Sequence, residues 1–249
     1  MMGKIQNHVS AIEYAVSERT PLDYLLIARE SSSGVASSKK PIRYLSIGSN
    51  IPKLEREMRE ILASRDRQRH STTFTLASSD SDLHDILVRI IERYVSPHQL
   101  SSTAQNGEHE DEEAITSKKL SDSNSDAVFV ESVGGVDLSH GTEFQQKVWR
   151  YLISECPGTD CRSYQDLSMK LFSDTVHTRA IGRACASNQI ALLVPCHRVV
   201  RRMAASANMK TKSKDDTDTY RWNRWRKEKL LDWELGGGLT TLAAHSLAA

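Results

Sequence analysis

The chain's most suggestive chemistry lies where the apolar run Gln189 to Val194 ends in Pro195, Cys196, His197, Arg198, Val199 and Val200. A thiol placed after a rigid proline and before an imidazole and a guanidinium sits among potential cations and hydrogen-bond partners. Such a setting lowers a thiol pKa and supplies thiolate, so Cys196 reads as a candidate nucleophile. The plain alternative is inert packing, since a cysteine beside an apolar strand usually behaves as a small hydrophobe. The remainder of the chain has to decide between the two.

Positioning that thiol falls to a C-terminal region whose pattern is mainly helical. Thr142 suits an N-cap for EFQQKVWRYLISEC, in which Phe144, Val148, Trp149, Leu152 and Ile153 share one apolar face before Pro157-Gly158 stops the helix. Two short helices follow, SYQDLSMKLF and HTRAIGRACASN, joined by a polar turn. They could form a helix-turn-helix whose second member presents Arg179 and Arg183 to DNA, although short helix pairs also fill many domains that bind none.

In the first 100 residues, apolar stretches at His8 to Val16, Tyr24 to Ala28 and Ile42 to Ile47 are separated by polar turns, as in a small α/β unit. Leu54, Met58, Ile61 and Leu62 predict one amphipathic helix there, and Leu83, Ile86, Leu87, Ile90, Ile91 and Tyr94 predict a second. This half contains no cysteine and shows no ligand-like cluster. The expected organisation is an N-terminal α/β domain over 1–100, a disordered acidic linker over 101–126 and a connecting segment over 127–138. A mostly helical domain over 139–235 follows, interrupted by a surface insertion over 201–219, and then a loose tail over 236–249.

Charge sharpens the division. The chain has 249 residues, with 33 Lys and Arg against 32 Asp and Glu. From Ser139 onward, however, 17 basic residues face 11 acidic ones, whereas 16 face 21 before it. The basic half raises the question of nucleic-acid binding without settling it. No apolar run approaches the roughly 18 residues of a membrane-spanning helix, and the start lacks a signal peptide's layout. The four cysteines, Cys156, Cys161, Cys185 and Cys196, are too sparse for a disulfide framework. We expect a soluble protein with free thiols.

The C-terminal region closely resembles the O6-alkylguanine-DNA alkyltransferases, also called methylated-DNA-protein-cysteine methyltransferases. The resemblance is carried by GTEFQQKVWRYLISECPGTDCRSYQDLSMKLF, by TRAIGRACASNQIALLVPCHRVV and by YRWNRWRKEKLLDWE. More weakly, HVSAIEYAVSERTPLDYLLIARE and DLHDILVRIIERYV resemble the family's N-terminal domain. The fold it implies is α+β: a small N-terminal α/β domain and a mostly helical, winged-helix-like C-terminal domain with a helix-turn-helix.

The same resemblance implies a DNA repair reaction. Cys196 matches the acceptor thiol that displaces an alkyl group from guanine O6 in double-stranded DNA and keeps it, in a single-turnover transfer without cofactor. His197 matches the base of a water-mediated relay, oriented by a glutamate matching Glu234. Arg179 matches a finger that enters the base stack, Tyr164 a tyrosine crowding the 3′ phosphate and assisting proton delivery to the leaving guanine, and Asn188 an asparagine tying the recognition helix to the active-site turn. Tyr220 matches a wall of the pocket, Arg221 stands where a backbone N-H faces O6, and backbone groups of Cys196 and Val199 help to read the guanine edge. Taken singly, Arg179 and Tyr164 could be solvated helix residues, Asn188 a helix C-cap, Tyr220 a loop aromatic and Glu234 a surface acid.

Several positions depart from the family pattern. About a dozen extra residues lie between Val200 and Tyr220, Asn223 stands where glycine is common, and Gln189 stands where proline is frequent. No zinc is expected, since no cysteine precedes Cys156, and Cys156 with Cys161 lacks a second pair. A monomer is expected, located in the nucleus, or in the cytoplasm of a bacterial host. Two other readings stay open: a non-catalytic binder of alkylated DNA or helix-turn-helix regulator, and a Cys-His hydrolase.

Overall fold

A computed structural model describes residues 10–31, 40–66, 72–95, 125–156, 162–201 and 220–234. The expected linker up to residue 124, the insertion from 202 to 219 and the tail from 235 lie outside the described residues, as does Cys161. The chain divides into two compact units, one holding Met1–Val95, Val130–His140 and Gln189–Ala191, the other the remainder. Among the described residues no helix is long and apolar enough to cross a membrane.

In the first unit, strands β1 (Ser10–Val16), β2 (Tyr24–Glu30), β3 (Ile42–Gly48) and β4 (Thr72–Leu76) form one sheet in the order β3-β2-β1-β4. β2 pairs antiparallel with both neighbours, and β4 runs parallel to β1. A continuous apolar run suits β2 to an inner position of the sheet, because a strand buried on both faces cannot alternate with polar residues. The helices are α1 (Ile51–Arg65), started by an Asn50 cap with Pro52 in the first turn, and α2 (Asp82–Tyr94), capped by Ser81. Leu54, Met58 and Leu62 of α1 bury against Ile12, Tyr14, Leu26, Ala28 and Tyr44. Ile61 and Ile91, at the margins of their stripes, are only half-buried.

The periodicity missed β4. Its five residues, Thr-Thr-Phe-Thr-Leu, lie at the sheet edge with Leu76 exposed, so no apolar alternation marks them; the β-branched threonines were the available signal.

The second unit is built from helices. α3 (Ser125–Ser132) begins at the two residues that composition assigned to the end of the acidic linker, and the unit boundary falls within it, between Phe129 and Val130. α4 (Glu143–Glu155) opens with a capping box between Thr142 and Gln145, and α5 (Tyr164–Phe172) with one between Ser163 and Asp166. α6 (Thr178–Ser187) and α7 (Arg224–Glu234) complete the set. The strands β5 (Arg162–Ser163) and β6 (Val199–Val200) pair in parallel over two residues, and a single 3-10 turn covers Cys196–Arg198.

The turn from α5 into α6 is clamped by aromatic stacking. The Phe172 ring lies 4.9 Å from Phe144 and 4.5 Å from His177, whose Nδ1 is 2.8 Å from Asp174. α4 is fixed to α6 by Trp149, which is fully buried and donates its indole N-H to the Ala184 carbonyl at 2.9 Å. Gly141 lies under that indole: a β-carbon there would come within 2.3 Å of the rigid ring. Gly141→Ala is therefore expected to destabilise this unit by about 1–3 kcal/mol through overpacking, measured by urea denaturation. An unchanged midpoint would contradict the packing described.

Candidate active site

The 3-10 turn sets Cys196 beneath the C-terminal end of α6. Asn188, completely buried, is the C-cap of that helix; its N-H donates to the Cys185 carbonyl at 3.3 Å. Its side-chain amide donates to the Val194 carbonyl at 3.1 Å and to Cys196 Sγ at 3.4 Å. One residue thus joins the helix to the cysteine turn, and the capping reading and the tying reading of Asn188 describe the same geometry.

The thiol environment corrects the expectation of a lowered pKa. Cys196 is 3% exposed, and burial pushes its pKa well above the ordinary thiol value, with Cys185 adding to the rise. Asn188 and Lys227 pull in the opposite direction and are outweighed. Desolvation penalises the anion more than two polar neighbours favour it, a balance that sequence adjacency to His197 and Arg198 does not show.

Beside the thiol lies a buried charge cluster. His197, fully buried, places Nε2 3.0 Å from Glu234 Oε1. Arg198 grips the same carboxylate through Nε, at 3.1 Å from both oxygens, and through Nη2 at 2.8 Å. Its Nη1 reaches Asp126 at 2.5 Å and the Cys156 carbonyl at 2.6 Å. Burial alone would raise the Glu234 pKa, but His197 and Arg198 reverse this and pull it down to about 2. An ionised carboxylate only accepts hydrogen bonds, so Nε2 of His197 carries a proton, and in the neutral ring Nδ1 carries the lone pair.

Nδ1 has no hydrogen-bond partner among the described residues, and neither has the buried Tyr220 hydroxyl. The His197 and Tyr220 rings meet edge-on with centroids 6.4 Å apart. Burial, then the neighbouring Cys196 and Glu234, push the Tyr220 pKa well up, so the phenol stays protonated. The site therefore holds an open acceptor and an open donor in the surroundings of the thiol.

Lys227, 3% exposed, donates from Nζ to the Val199 carbonyl at 2.8 Å and stands 5.9 Å from the centre of the Tyr164 ring. Its seven-residue separation from Glu234 is about two helical turns, which puts both on one face of α7. Val199 is fully buried, and Tyr164 is half-buried at the start of α5. Arg179 and Arg183, four residues apart, are exposed on the side of α6 opposite Ile181, Ala184 and Cys185, and Arg221 is also exposed. None of these three arginines forms an ion pair with a described residue. Among the described residues no three His, Cys, Asp or Glu side chains gather as a metal site.

The structure thus brings together Cys196, His197, Glu234, Asn188, Val199 and Tyr220. It adds Lys227 and Asp126, which carry no signal in the sequence, and it gives Arg198 the role of holding Glu234. Asn223 adopts φ +88°, a left-handed conformation that accounts for asparagine as the replacement where glycine is common. A depressed carboxylate contributes stability above its unfolded value of about 4.3, and that contribution is lost as pH falls through the folded value. Wild-type stability should consequently fall between about pH 4.5 and pH 2 more steeply than that of Glu234→Gln, which at pH 7 should already be less stable by about 3 kcal/mol. Urea denaturation across this range checks the expectation, and parallel pH profiles would contradict it.

Residues 143–236 match the family model described as 6-O-methylguanine DNA methyltransferase, DNA binding domain. The methylated-DNA-protein-cysteine methyltransferase of Lodderomyces elongisporus is 36% identical over 110 residues, 44% of this chain and 49% of that protein. The protein of the same name from Candida albicans is 40% identical over 98 residues, 39% of this chain and 47% of that one. The matched region thus spans about half the length of these relatives. The crystal structure of O6-methylguanine-DNA methyltransferase from the archaeon Pyrococcus kodakaraensis strain KOD1 superposes with a TM-score of 0.52 at 17% identity, covering 89% of this chain and 98% of that one, a likeness of fold. The likeness to the 6-O-methylguanine DNA methyltransferase family thus rests on residues 143–236, the part of the chain that carries Cys196, His197 and Glu234.

Proposed function

We propose that the protein transfers methyl or small alkyl groups from O6-alkylguanine in double-stranded DNA to Cys196, once per molecule. The observation that carries this reading is the thiol held by Asn188 next to an imidazole whose Nε2 is occupied by Glu234 and whose Nδ1 is open. In the reaction, His197 Nδ1 takes up the thiol proton through a relay, and the Glu234 carboxylate stabilises the imidazolium that forms. The Cys196 sulfur then attacks the alkyl carbon in line; the S-C bond forms as the C-O bond to guanine breaks. Tyr164 assists proton delivery to the departing guanine.

A high resting thiol pKa suits this chemistry. The neutral thiol ignores stray electrophiles, and a thiolate released from a high-pKa thiol is the stronger nucleophile. The Lys227 ammonium favours the anion once it forms. No release step follows, because a thioether does not regenerate the thiol.

Guanine O6 is stacked inside the duplex, so the nucleotide must be turned out before attack. Arg179 enters the stack in its place while Arg183 contacts phosphate; both are exposed on one face of α6. Tyr220, Arg221, Val199 and Asn188 border the pocket that receives the base. The protein acts as a monomer, in the nucleus or in the cytoplasm of a bacterial host.

Intact-mass measurement after incubation with DNA containing O6-methylguanine should show one added methyl group, located on Cys196. A Cys196→Ser variant that still removes the lesion, or lesion binding without a mass change, would overturn the assignment; the latter result would favour a binding module. Arg179→Ala should slow transfer from duplex by about 10–100-fold while leaving reaction with the free alkylated base unaffected. Equal losses on both substrates would place Arg179 outside base eversion.

A further inference from the structure

We propose that Arg65, the last residue of α1, is a positioning residue for the nucleophile: by holding the Gln189 side chain it fixes the stretch of chain between the Asn188 cap and the Cys196 turn. The effect on alkyl transfer rests on the function proposed above; the effect on the placement of Cys196 does not. Gln189–Ala191 belong to the first compact unit, although Asn188 before them and Leu192 after them belong to the second. They are taken up by the edge strand β3. Leu45 donates its N-H to the Gln189 carbonyl at 3.1 Å, Ala191 donates its N-H to the Leu45 carbonyl at 2.8 Å, and Ile190 between them is completely buried. Arg65 adds a side-chain grip. Its Nη1 donates to the Arg43 carbonyl of β3 at 3.0 Å, and its Nη2 donates to the Gln189 side-chain oxygen. Burial and the neighbouring Arg43 lower the Arg65 pKa to about 10, which leaves the guanidinium charged at neutral pH and that hydrogen bond charge-assisted.

The residue that follows this bridge shows why a grip is needed. Leu192, completely buried, has φ +62°, a left-handed conformation that a branched side chain disfavours. Such a backbone persists only where the structure on both sides over-determines it. Downstream, the Asn188 side-chain amide holds the Val194 carbonyl at 3.1 Å and reaches Cys196 Sγ at 3.4 Å. Upstream, the single-residue bridge to Leu45 and the Arg65 contact to Gln189 hold the chain against β3. Without the Arg65 contact, Leu192 relaxes, Val194 shifts against Asn188, and the amide loses its aim at the sulfur. In-line attack requires the sulfur, the alkyl carbon and the guanine oxygen to be aligned, so a small displacement of the turn costs much of the rate.

The test is a double-mutant cycle in the full chain: Arg65→Ala, Gln189→Ala and both together, with Gln189→Glu, which keeps an acceptor for the guanidinium, as a fourth variant. Two rates are read for each. The maximal single-turnover rate with duplex DNA containing O6-methylguanine should fall about 10-fold in either alanine variant and no further in the double variant, with the half-saturating DNA concentration unchanged. Gln189→Glu should keep the wild-type rate to within about twofold. Labelling of thiols by iodoacetamide, mapped by mass spectrometry, should quicken at Cys196 in the three alanine variants while the buried Cys156 and Cys185 keep their wild-type rates, the pattern of a displaced turn rather than of a loosened fold. Losses that multiply in the double variant, a Gln189→Glu as slow as Gln189→Ala, equal quickening at all three cysteines, or wild-type rates throughout would overturn the proposal. If labelling follows the cycle and no chain, wild type included, accepts a methyl group, the repair reading fails while this one stands.

Discussion

One carboxylate holds the site together. Glu234 accepts from His197 Nε2 and from Nε and Nη2 of Arg198, all within 3.1 Å. Arg198 is 2% exposed, and a guanidinium so deeply buried is tolerable only when paired and fully hydrogen-bonded. Asp126 and the Cys156 carbonyl complete its shell. Because Arg198 closes the same 3-10 turn that begins at Cys196, the charge balance that stabilises the end of α7 also sets the backbone carrying the nucleophile. Structural and chemical demands meet on one side chain: the carboxylate anchors the turn and fixes which imidazole nitrogen can accept a proton.

This arrangement separates readiness from reactivity. Burial keeps Cys196 protonated at rest, while His197 offers an open lone pair, Tyr220 an open hydroxyl and Lys227 a buried cation to favour the anion. In the proposed reaction, the energy of making thiolate is deferred to the moment when a substrate binds. α6 spans both tasks, with Arg179 and Arg183 on its exposed face and its C-cap Asn188 on the thiol.

Much of the scaffold was legible because its signals are local. Thr142 caps the helix expected to follow it, and the stripes of α1, α2 and α4 read directly as buried faces; Asn50, Ser81 and Ser163 cap their helices by the same local rule without having been singled out. β4 was illegible because an exposed edge strand needs no apolar alternation. The site was legible only in part. Cys196 and His197 stood out by type and adjacency, but Glu234 and Tyr220 drew attention through family resemblance rather than pattern. Asp126 sits 72 residues from Arg198 inside an acidic, low-hydrophobicity stretch, so nothing local distinguishes it from its neighbours. The direction of the Cys196 pKa shift was misread for the same reason: adjacent residues are visible in a sequence, whereas burial is a tertiary property.

The tautomer of His197, which nitrogen-15 resonance of the imidazole reports at neutral pH, tests the role of Glu234 most directly. The predicted result is a proton on Nε2, directed at Glu234, and a lone pair on Nδ1; a proton on Nδ1 with the lone pair on Nε2 would contradict it.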